Sequence, residues 1–173
     1  MDKNEVYSMG RATQVNCHGD ERRFEVLAEF IYNYFGNSIK YIADVAGGQG
    51  VLSRLLNKHY NYESEVIDPR HYTLKGVSHR EDYYTPDMAT FYDLIVGLHP
   101  DEATRPVAES AVYRPVIVVP CCNHWDNTRK LNSLALVDEI AKFYDERSVR
   151  YERIEFPFKY PNVGLVSTPP AKK

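Results

Sequence analysis

Residues 41–50, Tyr-Ile-Ala-Asp-Val-Ala-Gly-Gly-Gln-Gly, constrain this chain more than any other stretch. An apolar run ends at Asp44-Val45, and a glycine-rich turn follows. Val51-Leu52-Ser53-Arg54-Leu55-Leu56 then opens an amphipathic helix. Strand, tight glycine turn and helix is a layout that binds a nucleotide-like ligand. Glycine lets backbone approach a ligand where a side chain would clash. The helix N-terminus adds free N–H groups and partial positive charge. A second strand, Glu65-Val66-Ile67, ends in Asp68. That acid lies about twenty residues beyond the turn, where such folds grip ribose hydroxyls.

The remaining pattern extends this alternation. Asp20 is an expected N-cap for a helix over 21–35, with Phe24, Leu27, Ala28, Ile31 and Phe35 at helical spacing. Strands are expected at 41–45, 64–67, 76–78, 91–96 and 116–119. Helices are expected from 51 to about 57, over 102–113 with Asp101 as cap, and over 131–144. Runs at 151–156 and 163–166 read as a closing strand pair. Residues 1–20 are polar, with Gly10 and Gly19 as breakers, and read as an irregular arm. Residues 21–173 then form one α/β domain, a three-layer sandwich around a mostly parallel sheet.

Composition narrows the setting. The formal net charge of −3 gives no global basic signature for nucleic acid, so an RNA partner would need a local basic face. Arg11, Arg70, Arg80 and Arg129 lie in loops that could supply one. No apolar run approaches the roughly 20 residues of a membrane span, and the polar N-terminus lacks a signal-peptide core. Cysteines number three. Cys121 and Cys122 are adjacent and poorly placed to bridge each other, which points to a reduced, cytoplasmic setting. Cys17-His18, Cys121-Cys122 and His124 lack Cys-x-x-Cys spacing, and no metal is expected from them.

The helix before the first long strand, Asp44–Gly50, Asp68, Gly97 at a strand end and the closing strand pair together resemble the class I S-adenosylmethionine-dependent methyltransferases. The resemblance covers most of the chain. It implies a seven-stranded sheet whose last strand is antiparallel, and S-adenosylmethionine as cofactor. It assigns cofactor binding to Asp44, Ala46, Gly47, Gly48, Gln49, Gly50, Asp68, Asp82 and Gly97. Ala46 stands where the family usually has its first glycine. Gly97-Leu98-His99-Pro100 replaces the Asn/Asp-Pro-Pro-aromatic motif of amino-methylating enzymes. The segments Gly-Leu-His-Pro-Asp-Glu-Ala-Thr and Val-Pro-Cys-Cys-Asn-His are also similar to short motifs of a tRNA ribose methyltransferase family. They make structured RNA the first substrate expectation.

Ligands of open α/β sheets lie beyond the carboxyl ends of the strands. That rule selects His99, Asp101, Cys121, Cys122 and His124 as catalytic candidates. His99 is the favoured general base, since imidazole titrates near neutrality. Other readings stay open: a small-molecule or protein acceptor, a nicotinamide-dinucleotide enzyme, or a silent fold that binds a partner subunit or a second copy.

Overall fold

The computed structural model describes residues 7–9 and 12–172. In chain order the elements are β1 Tyr7–Met9, α1 Arg22–Phe35, β2 Tyr41–Val45, α2 Val51–Tyr60, β3 Glu63–Ile67, β4 Ser78–Arg80, β5 Leu94–Leu98, α3 Thr104–Glu109, β6 Val116–Val119, α4 Ser133–Asp145, β7 Arg150–Glu155 and β8 Val163–Thr168. One sheet runs β1-β4-β3-β2-β5-β6-β8-β7. From β4 to β6 the pairs are parallel. β8 lies antiparallel between β6 and β7, and β1 antiparallel at the far edge.

The seven strands from β2 to β8 form the expected sheet, mostly parallel with its last strand antiparallel. β1 is an eighth, unforeseen strand, so the arm is not irregular throughout. The chain steps outward from β2 to β3 and β4, then returns to the other side of β2 with β5. The order therefore reverses between β2 and β5, where such sheets open a crevice at their carboxyl ends.

Strand alternation explains the layers. Ile42, Leu94, Val96, Leu98, Ile117 and Val119 face one side and pack with Leu27, Ile31, Leu52 and Leu56 of α1 and α2. Ala43, Val45, Ile95, Val116 and Val118 face the other and meet α3 and α4 through Val107, Leu136, Val137 and Ile140. The central strands are buried on both faces, which is why their sequences are continuously apolar.

Several boundaries differ from expectation. β5 begins at Leu94, because Pro86–Phe91 forms a 3₁₀ turn. The Asp93 carboxylate then accepts the Lys40 and Tyr41 N–H groups at 2.8 and 2.9 Å, tying this turn to the start of β2. The expected helix over 102–113 splits into a 3₁₀ turn at Asp101–Ala103, α3, and a second 3₁₀ turn at Ser110–Val112. Asp101 does not cap it. Ala103 precedes α3, and Asp101 has a left-handed backbone with φ of 48°. Asp20 is not the N-cap of α1: Glu21 holds that position without a side-chain cap bond, and Asp20, one residue earlier, accepts the Arg22 N–H at 3.1 Å.

Candidate functional site

Two adjacent cavities open at the carboxyl ends of β2, β3 and β5. The larger, about 670 Å³, lies between Ala46, Asp68, Tyr83, Tyr84, Pro100 and Ala103. The smaller, about 250 Å³, is bounded by Asp44, Gly47–Gln49, Arg23 and His99. Ala46, Arg70 and Asp101 belong to both walls. A bigger recess, about 800 Å³, sits elsewhere among Tyr41, Glu63, Ser64 and Arg80, away from the glycine turn.

The turn has a definite construction. Ala46, Gly48 and Gly50 all have positive φ, at 53°, 61° and 78°. Ala46 thus occupies the left-handed region, where an alanine is tolerated at a cost. Gly47 is required for space, since a Cβ there would lie 2.5 Å from the Asp44 carboxyl carbon. Asp44 itself is buried and accepts a hydrogen bond from Ser53 Oγ at 2.9 Å. Burial pushes its pKa up to about 7, with the nearby Asp68 charge adding to the effect and the Ser53 bonds opposing it.

Asp68 closes β3 with a carboxylate only 1 % exposed. The Gly48 N–H donates to its Oδ2 at 3.1 Å, so the glycine turn and the acid touch. Arg70 grips the same group. Its Nε donates to Oδ1 at 2.9 Å, its Nη2 to Oδ2 at 2.8 Å, and its own N–H to Oδ1 at 2.9 Å. Asp68 in turn raises the Arg70 pKa.

His99 follows β5 with a left-handed backbone, φ 52°. Its Nε2 lies 2.8 Å from the Pro161 carbonyl oxygen, which can only accept, so Nε2 carries the proton. Nδ1 is then a free lone pair with no hydrogen-bond partner among the described residues. Burial lowers the His99 pKa, which favours this neutral form.

The remaining candidates are dispersed. His124 lines the larger cavity. Cys121 and Cys122 lie outside both cavities. The Cys121 thiol donates to Asp101 at 3.2 Å, and burial followed by that carboxylate pushes its pKa up. Asp82 is exposed and accepts the Tyr83 N–H at 2.8 Å, leaving Tyr83 and Tyr84 to line the cavity. Gly97 is a packing glycine, because a Cβ would meet Val107 at 3.0 Å and Pro100 at 3.1 Å. Gly50 likewise serves packing, with Val77 2.6 Å from its notional Cβ. Trp125 lies outside both of these cavities and lines a separate recess with Asn123 and His124. It stacks edge-on against Phe143, with Arg105 4.0 Å over its ring.

Sequence reasoning missed the arm. Gln49 Oε1 accepts the Asn16 N–H at 2.6 Å, and Gln49 Nε2 donates to the Gln14 carbonyl at 3.0 Å. Asn16, Cys17 and His18 thereby wall the smaller cavity. The one signal was the polar Gln49 inside an otherwise glycine turn.

No family model matches this sequence, and neither does any curated protein. Among solved structures, DesVI of Streptomyces venezuelae is similar with a TM-score of 0.53 at 13% identity, over 84% of this chain and 90% of that one. A protein of Corynebacterium glutamicum gives a TM-score of 0.53 at 13% identity, over 91% and 84%. A SAM-dependent methyltransferase of Archaeoglobus fulgidus gives a TM-score of 0.44 at 14% identity, over 78% and 76%.

Proposed function

We propose that this chain, which has the fold of the class I S-adenosylmethionine-dependent methyltransferases, binds that cofactor and directs its methyl group to an acceptor. One observation carries the reading. The Gly48–Asp68 hydrogen bond, 3.1 Å, brings the glycine turn and the acid together on the rim of two joined cavities. The fit follows from the donor set. Gly47 has no room for a side chain, and Gly48 would meet only the edge of Tyr72, at 3.4 Å. The backbone there is bare toward a ligand.

Asp68 would hold ribose hydroxyls. Tyr83 and Tyr84 would flank the adenine in the larger cavity. Arg23 and the glycine turn would hold the amino-acid end in the smaller one. The cofactor, when bound, supplies an electrophilic methyl group on a sulfonium. His99 Nδ1 would take the proton released by a hydroxyl or amine acceptor, while Nε2–H stays on the Pro161 carbonyl.

The acceptor is the finer part of the proposal. Structured RNA comes from the short motifs at His99 and Cys121. Of the basic residues named for it, Arg70 is held by Asp68 and Arg129 pairs with Glu139 at 2.8 Å. Arg11 lies outside the described residues. RNA, small molecules and protein therefore enter one assay together, as cell fractions offered methyl-labelled cofactor.

Calorimetry tests the cofactor. S-adenosylmethionine or its demethylated product should bind, and nicotinamide dinucleotides should not. Asp68→Asn should weaken binding by ten- to a hundredfold, the worth of charge-assisted hydrogen bonds of about 1.5–3 kcal/mol. Binding of a nicotinamide dinucleotide alone, or an unchanged dissociation constant in folded Asp68→Asn, would overturn the reading.

A further inference from the structure

Beyond the wall of the larger cavity, the chain between β3 and β4 folds back on itself. His79 sits mid-strand in β4, and Glu81 follows one residue past the strand end. Positions two apart share a face of extended chain, so both side chains point the same way. His71, from the loop after Asp68, joins them. His71 Nδ1 contacts Glu81 Oε1 directly. His79 Nε2 lies 3.2 Å from the same oxygen. The three ligating atoms all fall within 4.8 Å of one another.

We propose that His71, His79 and Glu81 form a zinc site, with water as fourth ligand, that ties the loop after β3 to β4. Two imidazoles and one carboxylate are a zinc donor set, and three protein ligands leave one position open. Around a tetrahedral zinc, neighbouring ligand atoms stand about 3.3 Å apart, given bonds of about 2.0–2.1 Å. The His79–Glu81 separation already matches that edge. His71 and Glu81 have side chains 50% and 41% exposed, so they can part to admit the ion.

The surroundings of His79 strengthen the assignment. The residue is fully buried, and its Nδ1 lies 3.0 Å from Thr73 Oγ1. Glu81 Oε1 can only accept, so His79 Nε2–H donates to it and the Thr73 hydroxyl donates to Nδ1. Zinc would displace the Nε2 proton, and Nδ1–H would then donate to Thr73 Oγ1. A second ring nitrogen fixed in this way is the usual support of a metal-bound histidine. The site stands apart from the proposed cofactor contacts, but shares their loop. Arg70 and Tyr72 flank His71, so a metal here would hold the Arg70 wall in place without touching the methyl-transfer chemistry.

The test uses the full untagged chain. Zinc content after gel filtration, zinc titration calorimetry and melting with and without chelator are measured for the wild type, His71→Ala, Glu81→Gln and Thr73→Val. One zinc per chain is expected, with a zinc-dependent rise in melting temperature. Affinity should fall at least tenfold in His71→Ala and Glu81→Gln, and by about 10–100-fold in Thr73→Val. His79→Ala is left out because a buried position invites misfolding, whereas His71 and Glu81 are exposed. Cobalt(II) in place of zinc should give a four-coordinate spectrum without thiolate charge transfer. No zinc bound to the wild type, or zinc held equally well by His71→Ala and Glu81→Gln, would overturn the proposal. So would a thiolate band, which would place the metal at Asp101, Cys121 and Cys122, the other clustered ligands among the described residues.

Discussion

Arg70 occupies both oxygens of Asp68, at 2.9 and 2.8 Å, on the carboxylate to which ribose hydroxyls would bind. The pair is lopsided in exposure. The Arg70 side chain is 52% exposed and that of Asp68 1%. Arg70 can swing into water, while Asp68 cannot follow. A diol entering the cavity therefore competes with an intramolecular partner.

Removing that competitor should tighten binding. Arg70→Ala should raise cofactor affinity by roughly tenfold, the low end for one charge-assisted hydrogen bond because Arg70 is half exposed. The ligand-free protein should melt lower, since a buried carboxylate loses its counter-ion. Calorimetry and melting curves with and without cofactor read both effects. Weaker binding in Arg70→Ala would show that Arg70 contacts the ligand.

For His99 the expectation separates turnover from binding. His99→Ala should lower turnover by about 10²–10⁴-fold, the usual contribution of a general base, with cofactor affinity changed little. Because burial lowers its pKa, the base form should persist below the usual histidine range. The acid limb of the rate profile should then lie below about pH 6.5. For stability the sign is that of a depressed histidine. The unfolded chain binds the extra proton first, so stability falls as pH drops below about 6.5. An acid limb unchanged in His99→Ala would assign the proton to another group.

Asp44 should show the opposite slope. Its folded pKa of about 7 exceeds the ordinary 3.8. Between those values the folded state holds more protons, so stability is lost as pH rises through the window. Asp44→Asn keeps the shape and can still accept from Ser53. Its stability relative to the wild type should be roughly 2–3 kcal/mol more favourable at pH 8 than at pH 5, by denaturant titration at each pH. A difference independent of pH would mean that Asp44 stays ionised throughout.

The adjacent cysteines should behave differently. Cys121 is half-buried, with its thiol on Asp101 and its pKa pushed up, whereas Cys122 is exposed. A thiol alkylating reagent at neutral pH should label Cys122 well before Cys121, as peptide mapping would show. Cys121→Ser should melt within a degree or two of the wild type, because a hydroxyl can also donate to Asp101. Preferential labelling of Cys121 would contradict its bond to that carboxylate.

The elements legible from sequence were those whose burial repeats. β6 has the bounds read from Val116-Ile117-Val118-Val119, and β2 those read from Tyr41–Val45, because apolar runs mark strands covered on both faces. Elements held by single side chains were not legible. Nothing in the composition of 91–96 shows that Asp93 bonds the N–H groups of Lys40 and Tyr41 at the start of β2. In the site, glycine spacing and Asp68 stood out because local geometry demands them. Arg70 on Asp68, Gln49 on the arm, and His71 beside His79 are meetings made by the tertiary fold, and they leave no periodic trace. At Gly97 the sequence does not tell apart a glycine required for close helix packing, which the structure shows, from one required for a ligand.

The arm spans the smaller cavity as a belt buckled at both ends. Ala12 exchanges hydrogen bonds with Thr73 and Lys75, at 2.9 and 2.7 Å, and Asp20 receives the Lys159 N–H at 3.1 Å. Between these buckles, Gln49 supplies the two bonds described above, to Asn16 and Gln14. Lifting the belt therefore breaks about two net bonds of roughly 0.5–1.5 kcal/mol each. Two walls of the smaller cavity, the arm and the glycine turn, are thus fastened to each other through one side chain, so the shape of that cavity depends on Gln49.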